Sequence, residues 1–338
     1  MERKDVEVTV GRRVVREPRV SVIMPAFNVA PYISEAIDSV FAQTFTNYEI
    51  IVINDGSPDT DEFEGSLRPY LDHVIYAKQV NRGVASARNV GLRLARSPMI
   101  AQLDPDDAWL PNFLSTQLEI MDRRPDLDVL YANSLIFGGS SDDGKEMMVL
   151  TPSSGEVTFD RLISEECTVL TSLMAKKEAF LRAGSFDESL RTSEDFDMWL
   201  RILKSGGRIG YHRQVLARYR RRSNSLSADE AVMSKSILHV LSKVERTMSL
   251  TPDEADCLAR SRLKFEALLN LSEGKKALYN KSIDLAVDWL TKANRYYKRP
   301  KISVLIWLLR VAPGFAYRVL TFRERFVYKY GGGPMSLR

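Results

Sequence analysis

Cysteine and histidine are scarce in this 338-residue chain. The two cysteines, Cys167 and Cys257, cannot build a disulfide framework of any size. Neither they nor His73, His212 and His239 stand at the spacing of a zinc site. A reducing, cytoplasmic compartment is therefore the expectation. No apolar run approaches about 18 residues, so no transmembrane helix is expected. The opening stretch MERKDVEVTVGRRVV lacks the apolar centre of a signal peptide. There is no G-x-S-x-G, no P-loop and no G-x-G-x-x-G. Those absences argue against a serine hydrolase, a P-loop phosphotransferase and a dinucleotide-binding dehydrogenase.

What is present is a chain with 44% hydrophobic residues and a net charge of +4. Its length favours two domains. The charge is uneven. Residues 291–338 hold eleven Lys or Arg against one acid, Glu324, so the other 290 residues carry 4 − 10 = −6. A basic tail on a mildly acidic body points to an anionic partner.

Residues 1–18 are polar and are expected to be loose. RVSVIMPAF (19–27) reads as a short buried strand stopping at Pro25. ISEAIDSVFAQ places Ile33, Ala36, Ile37, Val40 and Phe41 on one helical face. YEIIVINDGS, HVIYA, MIAQL and LDVLYANSLIF read as further strands, and VASARNVGLRLA and NFLSTQLEIMDRR as helices. Strands alternating with helices imply a mostly parallel sheet covered on both faces. Ligands bind such sheets at the carboxyl ends of the strands. Three polar clusters fall there: Pro25–Asn28, Asp55–Ser57 and Asp104–Asp107. Beyond about residue 228 nearly everything reads as helix, with one hairpin of the tetratricopeptide kind over 264–297.

Asp104 and Asp106 form a D-x-D after a strand, and Asp107 follows. Two carboxylates on one side of a loop suit a hard divalent ion, Mg2+ or Mn2+. The structural alternative is a turn whose Asp107 caps the next helix. Asp55-Gly56 has a similar alternative, a plain turn. In SEDFDMWLRI, Glu194 and Asp195 lead into an apolar helical pattern. They suit a helix N-terminus. They equally suit a general base, since adjacent carboxylates raise each other's proton affinity.

Four segments taken in order resemble glycosyltransferase family 2. They are VSVIMPAFNVAPYISEAIDSVFAQTFTNYEIIVINDGSPD, NRGVASARNVGLRLA, QLDPDDAWLP and SEDFDMWLRI. The resemblance runs from about residue 20 to 227. It implies a GT-A fold, a Rossmann-like α/β domain over 19–227, followed by a helical region over 228–338 with a basic amphipathic tail. It also implies an inverting transferase that uses a nucleotide-diphosphate sugar and a divalent cation. By position, Pro25, Ala26, Phe27 and Asn28 would line the base pocket, and Asp55 would accept a hydrogen bond from the base. Asn81, Gly83 and Arg88 would border the ribose and diphosphate. Asp104 would contact the ribose or metal-bound water, Asp106 would hold the metal, and Asp195 would be the base with Glu194 beside it.

One departure stands out. Many family members carry a histidine shortly after a Tyr-Arg pair, whereas here the segment is YRRRSNSLS, with Arg221 and Arg222 where that histidine would fall. Those arginines are either a solvated loop or a diphosphate clamp.

The expected acceptor is a glycan or lipid-linked hydroxyl in surface polysaccharide or glycoconjugate synthesis. The basic C-terminal region suits peripheral contact with an anionic membrane, at the inner face of the cell membrane. Nucleic acid is not an expected partner. A non-catalytic sugar-nucleotide-binding scaffold is the alternative, and retention of Asp104, Asp106, Glu194 and Asp195 together argues against it. A nucleotidyltransferase would need a glycine-rich phosphate loop that MPAFNVAPY does not supply.

Overall fold

The structure is a computed structural model and describes residues 6–222 and 229–315. The chain divides into two compact units, Met1–Arg222 and Ser223–Arg338. The boundary expected at 227/228 and the distal basic tail, 316–338, lie outside the described residues.

The first unit is organised by a nine-stranded mixed sheet. Its strands are β1 (Val6–Val10), β2 (Val20–Ala26), β3 (Tyr48–Asp55), β4 (Val74–Gln79) and β5 (Met99–Gln102), then β6 (Ala108–Trp109), β7 (Val129–Phe137), β8 (Leu173–Lys176) and β9 (Ile209–Arg220). They lie in the order β1-β4-β3-β2-β5-β8-β7-β9-β6. β4, β3, β2 and β5 are mutually parallel. β8 runs antiparallel between β5 and β7. The parallel half is the sheet that the alternation of strands and helices implies, and the mixed arrangement as a whole is the GT-A-like one that the resemblance implies.

Alternation along β2 sends its side chains to opposite faces. Val20, Val22 and Met24 join a buried cluster with Ile33 and Ile37 of α1 (Ile33–Phe41) and with Phe113 and Leu114 of α4 (Phe113–Arg123). Phe63 and Leu67 of α2 (Thr60–Leu67) complete that layer. Ile23 faces the other way, under α3 (Val84–Leu94). There Gly91 lets the helix approach: a Cβ on it would lie 2.4 Å from Ile23 Cγ2. Short helices α5 (Met147–Leu150), α6 (Phe159–Ile163) and α7 (Lys177–Arg182) precede α8 (Glu194–Lys204).

Two expectations need correction. Residues 6–10, inside the segment expected to be loose, form edge strand β1 against β4. β2 also continues through Pro25 to Ala26 rather than stopping at the proline. Ile23 O accepts Leu103 N–H, so Pro25, two residues on, faces the same side. That side lies past the paired end of β5, where the missing N–H breaks no ladder bond.

The second unit contains α9 (Glu230–Thr247), α10 (Pro252–Tyr279), α11 (Ile283–Tyr297) and α12 (Pro300–Val311). A capping box of Thr251 and Glu254 starts α10. α10 and α11 form the expected hairpin, with Gly274 under Leu290. α12 buries Ile302, Ile306 and Leu309 against this pair, while Val304, Trp307 and Val311 stay exposed on its opposite side. Among the described residues no helix is long and apolar enough to cross a membrane.

Candidate active site

Each strand of the parallel half ends in one of the polar segments singled out in the sequence. At the end of β2, Asn28 takes a left-handed conformation (φ 54°), and Phe27 is 46% exposed. Asn28 N–H donates to Ser57 Oγ at 2.6 Å, and Ala30 N–H donates to Asp59 at 2.9 Å. The β2 and β3 loops are thereby tied together, and Pro25, Ala26, Phe27 and Asn28 are held beside the end of β3.

Asp55 ends β3 with its carboxylate already engaged. It accepts from Gln79 Nε2 at 2.6 Å, from Arg82 N–H at 2.9 Å and from Gly83 N–H at 2.8 Å. The Asp55 carboxylate thus organises the loop that carries Asn81 and Gly83. Gly56 (φ 61°) permits this: a Cβ there would sit 2.4 Å from Asn81 N. Gly83 (φ 92°) then caps α3.

Arg88, one turn into α3, is buried and stands between two acidic elements. Its Nη2 lies 3.2 Å from Asp104 Oδ1 beyond β5, and its Nη1 pairs closely with Glu194 at the start of α8. Residues remote in sequence therefore meet on one guanidinium. Burial pushes the Glu194 carboxyl above its ordinary value, Arg88 opposes that rise, and the neighbouring Asp195 adds to it. Asp195 is partly exposed and accepts from Phe196 N–H at 2.7 Å. Ser193, just before them, is held at φ 58° with its buried Oγ unpartnered among the described residues.

The acidic loop after β5 splits by role. Asp107 N–H donates to Asp104 O at 2.9 Å, and the Asp107 carboxylate accepts from Arg220 N–H at 2.8 Å. It does not cap α4, whose N-cap is Asn112. Burial raises Asp107 well above the ordinary carboxylate range, and Asp104 and Asp106 add to this. Asp106 pairs with Arg222 at 2.7 Å. Burial raises its carboxyl too, Asp104 pushes in the same direction and Arg222 against.

Arg221 turns elsewhere and pairs with Asp142. Arg220, absent from the sequence candidates, braces the loop. It binds Asp106 O at 2.7 Å through Nε, pairs with Glu35 of α1, and lies over the rings of Tyr32 and Phe137. Nothing in the spacing of Tyr32, Glu35 and Arg220 signals this brace, because their contact depends on the β7–β9 pairing.

Divalent-ion chemistry fits Asp104 and Asp106 by donor type. Both present hard carboxylate oxygens, and a cation between them would offset both the burial and the Asp104 charge that raise the Asp106 carboxyl. Among the described residues no group of three or more His, Cys, Asp or Glu is arranged to hold a metal. Two carboxylates suffice where phosphate and water complete the shell.

The profile of Glycosyl transferase family 2 matches residues 21–182. An uncharacterized glycosyltransferase of Rickettsia felis is 30% identical over 305 residues, 86% of this chain and 48% of that protein. The chain thus spans about half the length of that relative. The putative teichuronic acid biosynthesis glycosyltransferase TuaG of Bacillus subtilis is 30% identical over 68% of this chain and 90% of its own. Among solved structures, S. aureus TarS 1–349 with UDP-GlcNAc superposes with a TM-score of 0.59 at 18% identity, covering 91% of each chain. The mannosyltransferase PcManGT of Pyrobaculum calidifontis with GDP-Man and Mn2+ gives 0.58 at 18%, covering 92% of this chain and 88% of its own.

Proposed function

The chain belongs to glycosyltransferase family 2 and is a glycosyltransferase, and from that premise we propose an inverting, cation-assisted transfer from a nucleotide-diphosphate sugar to a glycan or lipid-linked hydroxyl. The observation that carries the reading is the meeting of Asp104 and Glu194 on Arg88, which brings the D-x-D loop to the start of α8. Asp195 stands beside Glu194 on that helix, at the edge of a site lined by acids and arginines.

The polar ends of β2 and β3 hold the nucleoside, with Phe27 as an exposed apolar wall. Asp55 acts through the loop it fixes, so Gly83 and Asn81 border the ribose. Asp104 and Asp106 hold the divalent cation, which when bound offsets charge on the departing diphosphate. Asp195 accepts the proton of the acceptor hydroxyl as that oxygen attacks the anomeric carbon. Attack from the face opposite the leaving diphosphate inverts the configuration. Arg88 keeps Glu194 paired and so fixes the first turn of α8, which aims Asp195.

A panel of nucleoside diphosphates, with and without Mn2+, tests the donor half. The matching nucleotide should raise the melting temperature of wild type in Mn2+, by mass action on the native state. Asp106→Ala should lose that shift. Equal shifts in the two proteins would remove Asp106 as the cation's ligand.

TuaG is named for teichuronic acid biosynthesis, and a surface polymer is the acceptor class proposed for this chain. Peripheral membrane contact belongs to the same reading. α12 is apolar on both sides, which a water-facing helix ordinarily is not. Trp307 is 60% exposed, Val304 and Val311 share its side, and Lys301 stands beside them. The following sequence adds Arg318, Arg323, Arg325 and Lys329. Apolar residues flanked by basic ones suit an anionic lipid surface. Wild type should co-sediment with phosphatidylglycerol vesicles and not with phosphatidylcholine ones, and a Trp307→Glu, Val311→Glu variant should stay in the supernatant. Co-sedimentation by neither protein refutes the membrane contact.

A further inference from the structure

Arg218, Arg220 and Arg222 alternate along one line at the end of β9, but their surroundings differ. Arg218 and Arg220 both pair with Glu35 and both lie over the Phe137 ring. Arg220 is held further by Asp106 O. These two are braces. Arg222 lies two residues beyond the end of the strand and makes its ion pair with Asp106 Oδ2 at 2.7 Å, its guanidinium carbon 5.2 Å from the centre of the Tyr32 ring. The pair is sheltered, with side-chain exposures of 19% and 16%.

The pairing is incomplete in an informative way. Arginine binds an oxyanion best along an edge with two parallel N–H groups, of which Nε and Nη2 make one. Here Nη2 meets Asp106 while the buried Nε has no partner among the described residues. Phosphate, with several oxygens around one centre, can fill both positions of that edge. Asp106, for its part, is a carboxylate whose other proposed partner is a divalent cation. A guanidinium and a divalent ion on one carboxylate repel each other.

We propose that Arg222 is a resident counter-charge on Asp106, displaced when the cation binds and taken up by the diphosphate of the nucleotide. The inference rests on the reading of Asp106 as the cation's ligand. Its consequence is linkage. The cation alone must compete with Arg222 for Asp106. With nucleotide present, the displaced guanidinium gains a two-point partner, so cation and nucleotide each strengthen the other's binding reciprocally. An arginine at this position exchanges charge where a histidine would add a ligand.

The test is Mn2+ affinity, read from the electron paramagnetic resonance signal of free Mn2+, with no turnover involved. Wild type, Arg222→Ala, Arg222→Lys and Asp106→Ala are titrated with Mn2+ alone and then with UDP or GDP added. Arg222→Ala should bind Mn2+ alone about tenfold more tightly than wild type, the scale of a sheltered ion pair near 1.4 kcal/mol. Arg222→Lys keeps the competing charge and should match wild type. Both variants should keep the direct attraction between Mn2+ and diphosphate but show weaker mutual strengthening than wild type, because neither offers the two-point edge.

If Arg222→Ala and wild type bind Mn2+ alone equally, while Asp106→Ala binds none, the competition is overturned and the metal reading stands. If Arg222→Ala gains Mn2+ affinity yet keeps full linkage to nucleotide, the transfer of Arg222 to the diphosphate is overturned. If no protein binds Mn2+, even with UDP or GDP, the reading of Asp106 fails and takes this inference with it.

Discussion

Asp195→Asn should abolish most sugar transfer while leaving nucleotide affinity intact. Asparagine retains an oxygen that can accept the Phe196 N–H bond, so the first turn of α8 keeps its local geometry. What it loses is the ability to take a proton. Removal of a positioned general base costs about 10²- to 10⁴-fold. The fall should appear in kcat, since the groups proposed to hold the nucleotide lie on the loops after β2, β3, β4 and β5 and just past β9, not on α8. Transfer within a few-fold of wild type would remove Asp195 as the base. An equal loss of nucleotide affinity would assign it to binding instead.

Arg88→Ala should be among the most destabilising single changes in the first unit. The guanidinium is buried and is the counter-charge for buried Glu194 and partly for Asp104. Truncating one partner of a buried pair costs about 3–5 kcal/mol, because the other charge stays behind. The pH dependence follows from the direction of the Glu194 shift. A carboxyl raised in the fold contributes stability at low pH that is lost as pH rises through its folded value. Without Arg88 the rise is larger. The charge part of the deficit should therefore be full at alkaline pH and should shrink as pH falls through about 7, where Glu194 protonates in the folded wild type. Denaturant midpoints across pH measure this. An Arg88→Met, Glu194→Gln double variant removes both charges and should recover much of the stability. A pH-independent deficit in Arg88→Ala would mean that lost packing against Phe186, rather than charge, sets the cost.

Much of this arrangement was legible in the sequence because it is local. The end of β2, the Asp55-Gly56 turn and the Asp104–Asp107 loop each announce themselves by a polar cluster after an apolar run. The start of α8 is marked by Glu194 and Asp195 before a helical pattern. The roles were less legible than the positions. The oxygens of Asp55 bind the loop after β4, a tie that the Asp55-Gly56 turn does not announce. Arg88 joins two acidic elements that no spacing relates.

Arg220, Glu35 and Tyr32 were not foreseen, because a brace between α1 and β9 leaves no periodic signature. The edge strand β1 was missed for a different reason. Its residues VEVTV alternate as a strand should, but the surrounding charges read as a loose arm.

The bridge on Arg88 spans 106 residues to Glu194, and Arg220 reaches back 113 residues to Asp107. Their consequence lies in how the chain acquires its structure over time. The parallel strands β2, β3 and β4 can associate early, since each pairs with its neighbour in the chain, and β5 then joins β2. Asp104 meets Arg88 of α3, but Asp106 and Asp107 lack their arginine partners until residue 222 has been synthesised and β9 has docked beside β7. Loop closure over such distances is slow relative to the local pairing. Nascent chains halted before β9 would carry the parallel strands but an acidic rim short of two of its arginines, Arg220 and Arg222.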